Sequence, residues 1–500
     1  MTTPTPVSEL ADPSATTERF AHPPVEIPKD FVEALLTTGA EVLASHADRS
    51  VASRDWWPLG IGWGVRDQVG ALADLVVKPH STAEVSAVLA LCHGAQIPVT
   101  PAAGRSGVCG GSIPLAGGVI VDLTELTGTF LVDETSLTLT VSAGVFGPDL
   151  EKQLERTGTG YTLGHWPQSF DLSTVGGWLA CRGAGQYSTR YGKIEDMVRG
   201  LVVVLADGSI VTTEGTGPRT ATGPNLTQLF VGSEGTLGII TEATLAIHPI
   251  AASEQRGAWG FSSFDEGLDA CRRILRRGAT PAVLRLYDEI ESKRNFDVEA
   301  NVLIVLDEAD PAIVEATMTI VAEEVAGAEL LDIGLVDRWL GHRNDVSSLT
   351  PLWEAKYVVD TIEMAGPWAQ LPTLSKEILT ALRSLEGTLV ASVHESHAYS
   401  DGACLYFTFV GRVSEPNGDD YGDLVAEEAY YRAAWDAAST VITSHGSALS
   451  HHHGIGVNRG RFMASALGSS FAVLHSIKSA LDPTGILNPG KLGLGAEEIW

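Results

Sequence analysis

Two segments far apart in the chain carry the groups best equipped for chemistry. Residues 232–249, GSEGTLGIITEATLAIHP, form a glycine-rich turn running into an apolar strand, a way of bringing backbone close to a flat ligand. Residues 449–460, LSHHHGIGVNRG, set three imidazoles beside a glycine bend. On an extended segment side chains alternate faces, so His452 is expected to point away from His451 and His453, and the three together are not expected to hold a metal. Arg285, flanked by Leu284 and Leu286, is costly to bury unless something anionic meets it. Tyr406 in ACLYFTF reads on its own as an aromatic on a half-buried strand, and His165 in GHWPQS as a hydrogen-bonded core histidine.

Four glycine-bearing stretches recur through the first half: PAAGRSG (101–107), QSFDLSTVGG (168–177), CRGA (181–184) and EGTLGII (234–240). A buried pyrophosphate needs several converging backbone N–H donors, and Gly104, Gly107, Gly176 and Gly177 let backbone approach where a Cβ would obstruct it. Ser106, Ser173 and Thr174 offer hydroxyl donors, and Arg105 or Arg182 offers charge. With 53 glycines in the chain any one loop reads as a turn, but four in sequence read as a ligand-binding set.

The elements that position these groups alternate in kind. After a Pro/Thr/Ser-rich stretch over residues 1 to about 30, expected to form a loose arm, DFVEALLTTGAEVLAS has the apolar spacing of a helix. LVVKP reads as a strand, and STAEVSAVLALCHGAQ as a helix capped by Ser81 with Glu84 three residues on. IPVTPAAGRSGVCGGS is a strand entering a glycine-rich loop, followed by the strands GVIVDL and LTLTVSAGV; this is an α+β nucleotide-binding arrangement. Asp207-Gly208 marks a hairpin turn. After His248-Pro249 the chain mixes amphipathic helices such as SFDEGLDACRRILRRG with strands such as NVLIVLDEA and ACLYFTFVGR. The expected organisation is an arm and helical segment (1–69), a ligand-binding domain (70–250), a sheet-plus-helices substrate domain (251–460) and a closing segment (461–500) that packs back on the first domain.

Composition removes several function classes. A net charge of -29 disfavours nucleic acid and anionic membranes as non-specific partners. The five cysteines are scattered and lack a CxxC pair, so neither a disulfide framework nor a thiolate metal site is expected, and a reducing compartment fits. No signal peptide and no membrane-spanning run is legible, and the closing EEIW is not an SKL-type address, so a soluble cytoplasmic protein is expected.

In order and spacing the glycine-bearing stretches resemble the FAD domain of vanillyl-alcohol-oxidase (PCMH-type) flavoenzymes. Within that superfamily GHWPQSFDLSTVGGW, YGKIEDMV, FVGSEGTLGIITEATLAIHP, DGACLYFTF and LSHHHGIG resemble alkylglycerone-phosphate synthase, and the resemblance runs over roughly residues 70–495. It implies an α+β fold with a two-part FAD domain followed by a cap domain. It also implies FAD held by Pro101, Gly104, Arg105, Ser106, Gly107, Gln168, Ser169, Ser173, Thr174, Gly177, Cys181, Arg182, Glu234, Gly235, Thr236 and Ile240. Covalently flavinylated relatives carry a histidine in the first loop, where this chain reads GRSGVCGG, so FAD is expected to be non-covalent, with Cys109 the one candidate for attachment. The implied catalytic set is Tyr406, Arg285, His165 and the run His451, His452 and His453, with His452 as leading general acid/base. The implied reaction replaces the acyl group of an acylated ketone by a fatty alcohol without net redox change, giving an ether-lipid precursor. A small or lipid-like substrate, a homodimer and peripheral membrane contact complete the expectation.

The chain departs from that pattern at three places. Gln370 in GPWAQ stands where the family's substrate-phosphate arginine is expected. The segment from Arg285 to NVLIVLDEA is short. HHHGIGVNRGR lacks a basic KLRK, for which Arg459 and Arg461 are the available replacements. A second reading is an FAD-dependent dehydrogenase or oxidase of a hydroxy acid or alcohol. Its metal-assisted form carries GHxGDGNxH and EHGxG; here His397 remains, Tyr406 replaces the second histidine and His452 the glutamate, and a neutral phenol is a weak ligand. A flavin-binding protein without catalysis is the third reading.

Overall fold

The computed structural model describes residues 10–20, 22, 24–213, 217–413 and 423–495; the first nine residues of the arm and the closing EEIW lie outside them. The arm is not loose where described. Thr17–Glu18 pairs in parallel with Gln68–Val69, Phe20 meets Trp63 edge-on at 5.2 Å, and Arg19 forms an ion pair with Glu428 at 2.9 Å. The helix expected over residues 30–45 is shorter: α1 is Lys29–Leu36, the chain turns at Gly39, and β1 (Glu41–Leu43) joins a sheet.

In the first domain β2 (Leu75–Lys78) leads to α2 (Thr82–Ala95), whose Ser81 hydroxyl accepts from the Glu84 N–H as the capping pattern requires. β3 (Val99–Ala102) and β4 (Val119–Asp122) complete a four-stranded sheet of order β1-β2-β4-β3, parallel except for β1. Its apolar runs are buried on both faces, as parallel strands require. A second, antiparallel sheet of order β8-β7-β9-β6-β5 follows, built from β5 (Phe130–Asp133), β6 (Thr138–Ser142), β7 (Val198–Val204), β8 (Ile210–Thr212) and β9 (Ile239–Ala246). The Asp207-Gly208 turn joins β7 to β8, and α3 (Val175–Cys181) packs against β9 and β6.

The second domain is a seven-stranded antiparallel sheet of order β13-β10-β12-β11-β15-β16-β14. Its strands are β10 (Ser253–Phe261), β11 (Val283–Tyr287), β12 (Asn301–Ala309), β13 (Glu329–Leu330), β14 (Val358–Pro367), β15 (Thr388–Ala398) and β16 (Gly402–Gly411). Period-two alternation divides its side chains. Leu284, Leu286, Leu303, Val305, Val393, Leu405 and Phe407 enter a core with α4 (Phe264–Arg276), α6 (Pro311–Glu324), α8 (Leu371–Arg383) and α9 (Leu424–Ser444). The opposite face carries Arg285, Tyr287, His394, Tyr406 and Thr408 toward a cavity, closed at one end by α5 (Glu289–Phe296) and α7 (Gly334–His342).

The closing segment returns to the first domain. Val99 N–H donates to Ile486 O at 2.8 Å and Asn488 N–H to Val99 O at 2.7 Å, while Lys491 Nζ donates to Ile113 O at 2.7 Å. No helix among the described residues is long and apolar enough to cross a membrane, and all five cysteines are free.

Gly235 sits at φ +72°, where an added Cβ would lie 2.2 Å from Pro101 Cγ. Gly235→Ala is therefore expected to cost about 1–3 kcal/mol, read as a lower denaturant midpoint at unchanged slope; a midpoint equal to wild type would show that this turn relaxes freely.

Candidate active site

A cavity of about 910 Å³ lies between the two domains. Its first-domain wall is the loop after β3. Residues 104–111 lie in no helix or strand, and their backbone N–H groups donate to no protein acceptor among the described residues. Backbone N–H groups need partners, and a run of unpaired ones on a cavity-lining loop fits a buried pyrophosphate. A Cβ at Gly107 would meet nothing within 4 Å and one at Gly177 only Thr174 Oγ1, so both leave room for a ligand. Gly104 is different: its Cβ would lie 2.1 Å from the Leu172 carbonyl, which makes it a packing glycine. Arg105 is ion-paired with Asp122 at 2.8 Å.

The second-domain wall is a rung of side chains in register. Tyr287 pairs with His394, His394 with Tyr406, and Tyr406 with Glu363 across four neighbouring strands. Directly opposed residues share a face, so the rings stack: Tyr287 on His394 at 5.2 Å, His394 on Tyr406 at 4.9 Å, and Tyr406 on His452 at 6.3 Å. Arg285 Nη2 donates to His394 Nε2 at 2.9 Å. An arginine only donates, so the His394 proton sits on Nδ1 and is donated to Glu291 Oε2 at 2.8 Å. Burial lowers the His394 pKa, and the ring is neutral. Thr361 Oγ1 donates to the Tyr406 hydroxyl at 2.9 Å, leaving the phenolic proton free for the cavity; burial raises the Tyr406 pKa and keeps that proton in place.

The tri-histidine run is a bend, not an extended strand, so alternation does not hold. His451 Nδ1 and His452 Nδ1 are 2.9 Å apart, and the His452 and His453 ring centroids 4.4 Å apart. The bend is fixed by Glu363, fully buried on β14, whose carboxylate accepts from Ser450 Oγ at 2.7 Å, His453 N–H at 3.0 Å and the His451 N–H, and pairs with Arg459 at 3.0 Å. Burial alone would raise the Glu363 carboxyl, but the charged Arg459 guanidinium beside it holds it well below its ordinary value. From the first domain, Glu234 accepts from Ile455 N–H at 2.6 Å and Gly456 N–H at 2.8 Å. Burial lowers the histidines: His451 to about 3, His453 to about 4 and His452 well below the usual value. All three are neutral near pH 7.

Ligating atoms of His397, His451 and His452 lie within 4.8 Å of one another, and Glu363, Cys404 and His452 form an overlapping group. Several are already engaged: His397 Nδ1 with Ser188 Oγ at 2.9 Å and His451 Nε2 with Tyr399 OH at 3.0 Å. The hairpin register sets Cys404, not Tyr406, opposite His397.

Of the residues singled out in the sequence, Pro101, Gly104, Arg105, Ser106, Gly107, Gln168, Ser169, Thr174, Gly177, Cys181, Glu234, Gly235, Ile240, Arg285, Tyr406, His452 and His453 line the cavity. His165, His451, Ser173, Arg182, Thr236 and Gln370 do not. Ser173 Oγ accepts from Trp178 Nε1, Arg182 faces Glu195, and the Thr236 carbonyl accepts from Lys478. Gln370 Oε1 accepts from Ser447 Oγ. Arg459 and Arg461 pair with Glu363 and Asp436 and do not replace a basic substrate-facing stretch. Cys109 lines the cavity with its thiol raised by burial. Sequence reasoning missed Glu363, Glu291, His394 and Tyr287; only the register across the sheet joins them.

Residues 73–214 match the FAD binding domain family, and residues 250–492 the C-terminal domain of FAD linked oxidases. The chain is 30% identical over 464 residues to alkyldihydroxyacetonephosphate synthase of Dictyostelium discoideum, covering 85% of this chain and 74% of that protein. It is 31% identical over 435 residues to the uncharacterized FAD-linked oxidoreductase YgcU of Escherichia coli O157:H7, covering 83% and 88%. A solved structure of an alkyldihydroxyacetonephosphate synthase superposes with a TM-score of 0.77 at 26% identity, covering 97% of this chain and 89% of that one.

His165 lies fully buried against Trp178, with centroids 4.7 Å apart, and neither ring nitrogen has a protein partner among the described residues. Burial lowers its pKa to about 3. Between that value and an unfolded value near 6.5, the unfolded chain binds a proton that the native site refuses, so this histidine costs stability as pH falls. His165→Phe is expected to flatten the loss of stability between pH 6 and 4 by about 1 kcal/mol per pH unit relative to wild type, measured by urea unfolding across that range. Parallel pH profiles for the two proteins would refute a neutral His165.

Proposed function

Since the chain belongs to the FAD-linked oxidase family, we propose that it is an FAD-dependent enzyme that exchanges the acyl group of an acylated ketone for a fatty alcohol, as alkylglycerone-phosphate synthase does. The observation that carries this reading is the juxtaposition of the Tyr406 phenol with the histidine bend, at 6.3 Å from His452 and 5.4 Å from His453, on a wall shared with Arg285. FAD, when bound, supplies the electron-accepting ring. Neutral His452 takes the proton beside the substrate carbonyl and returns it to that carbon after the exchange, and Tyr406 donates a hydrogen bond to the oxygen on which negative charge builds. Arg285, whose side chain among the described residues hydrogen-bonds to Tyr287, Ser396 and His394, adds a full positive charge there. The ester oxygen leaves with its acyl group as a carboxylate, the alcohol oxygen takes its place on carbon, and the alcohol proton is released, so no net oxidation occurs. Val346, Leu349, Leu352, Val359 and Val410 give the cavity an apolar flank for a hydrocarbon chain.

A second reading, oxidation of an alcohol or 2-hydroxy acid, is favoured by the 31% identity to the oxidoreductase YgcU. There the same His452 would take the hydroxyl proton.

Tyr406→Phe and His452→Ala are each expected to lower turnover by about 10²–10⁴-fold with FAD content unchanged; loss of flavin would give these residues a cofactor-holding role instead. The deciding measurement is an anaerobic flavin spectrum titrated with acyl-dihydroxyacetone phosphate and, separately, with 2-hydroxy acids and alcohols. The acyl ketone is expected to perturb the spectrum and release fatty acid without lasting bleaching. Bleaching by a hydroxy acid or alcohol that reverses with oxygen would replace the proposal by the oxidoreductase.

A further inference from the structure

We infer that His451, Tyr399 and Ser188 form a proton relay behind the cavity wall that joins His452 to His397, so that a proton taken at one end histidine is matched by a proton given up at the other. This rests on the reading of His452 as the base. The hydrogen bonds run without a gap: His452 Nδ1 to His451 Nδ1 at 2.9 Å, His451 Nε2 to the Tyr399 hydroxyl at 3.0 Å, that hydroxyl to Ser188 Oγ at 3.0 Å, and Ser188 Oγ to His397 Nδ1 at 2.9 Å. His452 and His397 line the cavity, and the three members between them do not. The two end rings meet edge to face at 5.0 Å without a direct hydrogen bond, and neither Nε2 has a hydrogen-bond partner among the described residues.

Hydroxyls and neutral imidazoles are each donor and acceptor, and no carboxylate or ammonium stands within the chain to fix its direction. Four links need four protons, and two arrangements supply them. In one, His452 Nδ1–H, His451 Nε2–H, Tyr399 O–H and Ser188 O–H all donate toward His397, which leaves His452 with a bare Nε2 and His397 with a protonated one. In the other every bond is reversed, and the bare Nε2 belongs to His397. Burial lowers the pKa of His452, His397 and His451 and keeps the Tyr399 phenol protonated, so no member stores a charge. A proton accepted at His452 Nε2 therefore moves the Nδ1 proton onto His451, and each bond follows until His397 Nε2 gives one up. In the proposed exchange the proton of the substrate carbon enters at His452, and the departing carboxylate takes the one from His397, losing it again in water. The incoming alcohol then gives its proton to His397, the chain reverses, and His452 returns a proton to carbon. Holding the bend is a task already met by other groups: Glu363 takes its backbone N–H groups, Lys193 Nζ donates to the His451 carbonyl at 2.6 Å, and Thr189 Oγ1 ties the short helix Ser188–Tyr191 to the Ala398 carbonyl at 2.9 Å. The chain of rings and hydroxyls is additional to these.

The test uses the FAD-loaded full-length protein. With isotope-labelled histidine, nitrogen NMR shifts are expected to show opposite tautomers on His452 and His397, one protonated at Nδ1 and the other at Nε2. The same tautomer on both rings, or a stoichiometric divalent metal bound to them, would overturn the relay. Tyr399→Phe keeps the ring and removes two links, and Ser188→Ala removes two from the other side. In fatty acid release from acyl-dihydroxyacetone phosphate with hexadecanol, each variant is expected to lower kcat about 10²-fold at unchanged KM and FAD content. Added imidazole, a diffusible proton carrier, should restore part of that loss, which it would not do for a merely misplaced ring. Unchanged kcat in both variants, or loss without rescue, would overturn the relay and leave acyl exchange standing. If a hydroxy acid or alcohol bleaches the flavin instead, the variants are measured in that reaction; slowed bleaching that imidazole rescues keeps the relay while the transferase reading falls. If neither reaction occurs, the tautomers decide.

Discussion

The site depends on one buried ion pair. Glu363 and Arg459 are both fully buried, and bringing two charges out of water costs several kcal/mol per ion unless further hydrogen bonds satisfy what the pair leaves over. Here they do. The Glu363 carboxylate also takes the Ser450 hydroxyl and two backbone N–H groups of the histidine bend, while Arg459 donates to the Leu449 carbonyl and lies 4.9 Å from the Trp435 ring. A hydrophobic pair of equal volume could fill the space, but it could not dictate where residues 450–453 lie. The pair is a positional device, and what it positions is the histidine bend.

The bend is held from both domains. Glu234 reaches it from the first domain, and the residues it holds have no freedom to drift: a Cβ at Gly456 would lie 2.1 Å from the Cys109 carbonyl. The loop bearing the three histidines thus touches the glycine-rich loop that fits FAD, and any reaction that needs both is confined to one geometry. Burial then selects protonation states. Histidines withdrawn from water stay neutral and the Tyr406 phenol keeps its proton, so near pH 7 the wall holds ready acceptors and a ready donor without a free carboxylate between them.

Much of this was legible in the residues and some was not. The Ser81 cap, the hairpin at Asp207-Gly208 and the two-part α+β architecture follow from local chemistry that tertiary packing did not override. The pairing of residues 232–249 with residues 449–460 was visible as two glycine motifs, but the bond that joins them, Glu234 to the Ile455 and Gly456 N–H groups, was not, because a motif names residues and not the direction of their side chains. Alternation failed at His451–His453 because it presumes a strand, and Glu363 bends the segment. His394 was invisible because nothing local distinguishes it in VHESHA; only cross-strand register puts it beside Tyr287 and Tyr406. The arm was misread from composition: Pro, Thr and Ser describe its backbone, whereas Arg19 and Phe20 decide its docking.

Charge resolves an apparent conflict between the whole molecule and its cavity. A chain of net charge -29 repels anions at a distance, yet at physiological salt that field decays over about 8 Å. Inside the cavity screening is weak and the dielectric lower, so the nearest groups decide, and on the α5–α7 side these include Arg294 paired with Glu291 and the guanidiniums of Arg285, Arg338 and Arg343, none of the latter within ion-pair distance of a carboxylate among the described residues. Selectivity for an anionic ligand can therefore coexist with an acidic exterior, provided the cations stay spaced and desolvated. The Trp339 ring lies 5.6 Å from the Arg285 guanidinium and 5.8 Å from that of Arg343, and Val346, Leu349 and Leu352 add apolar lining to the same cavity.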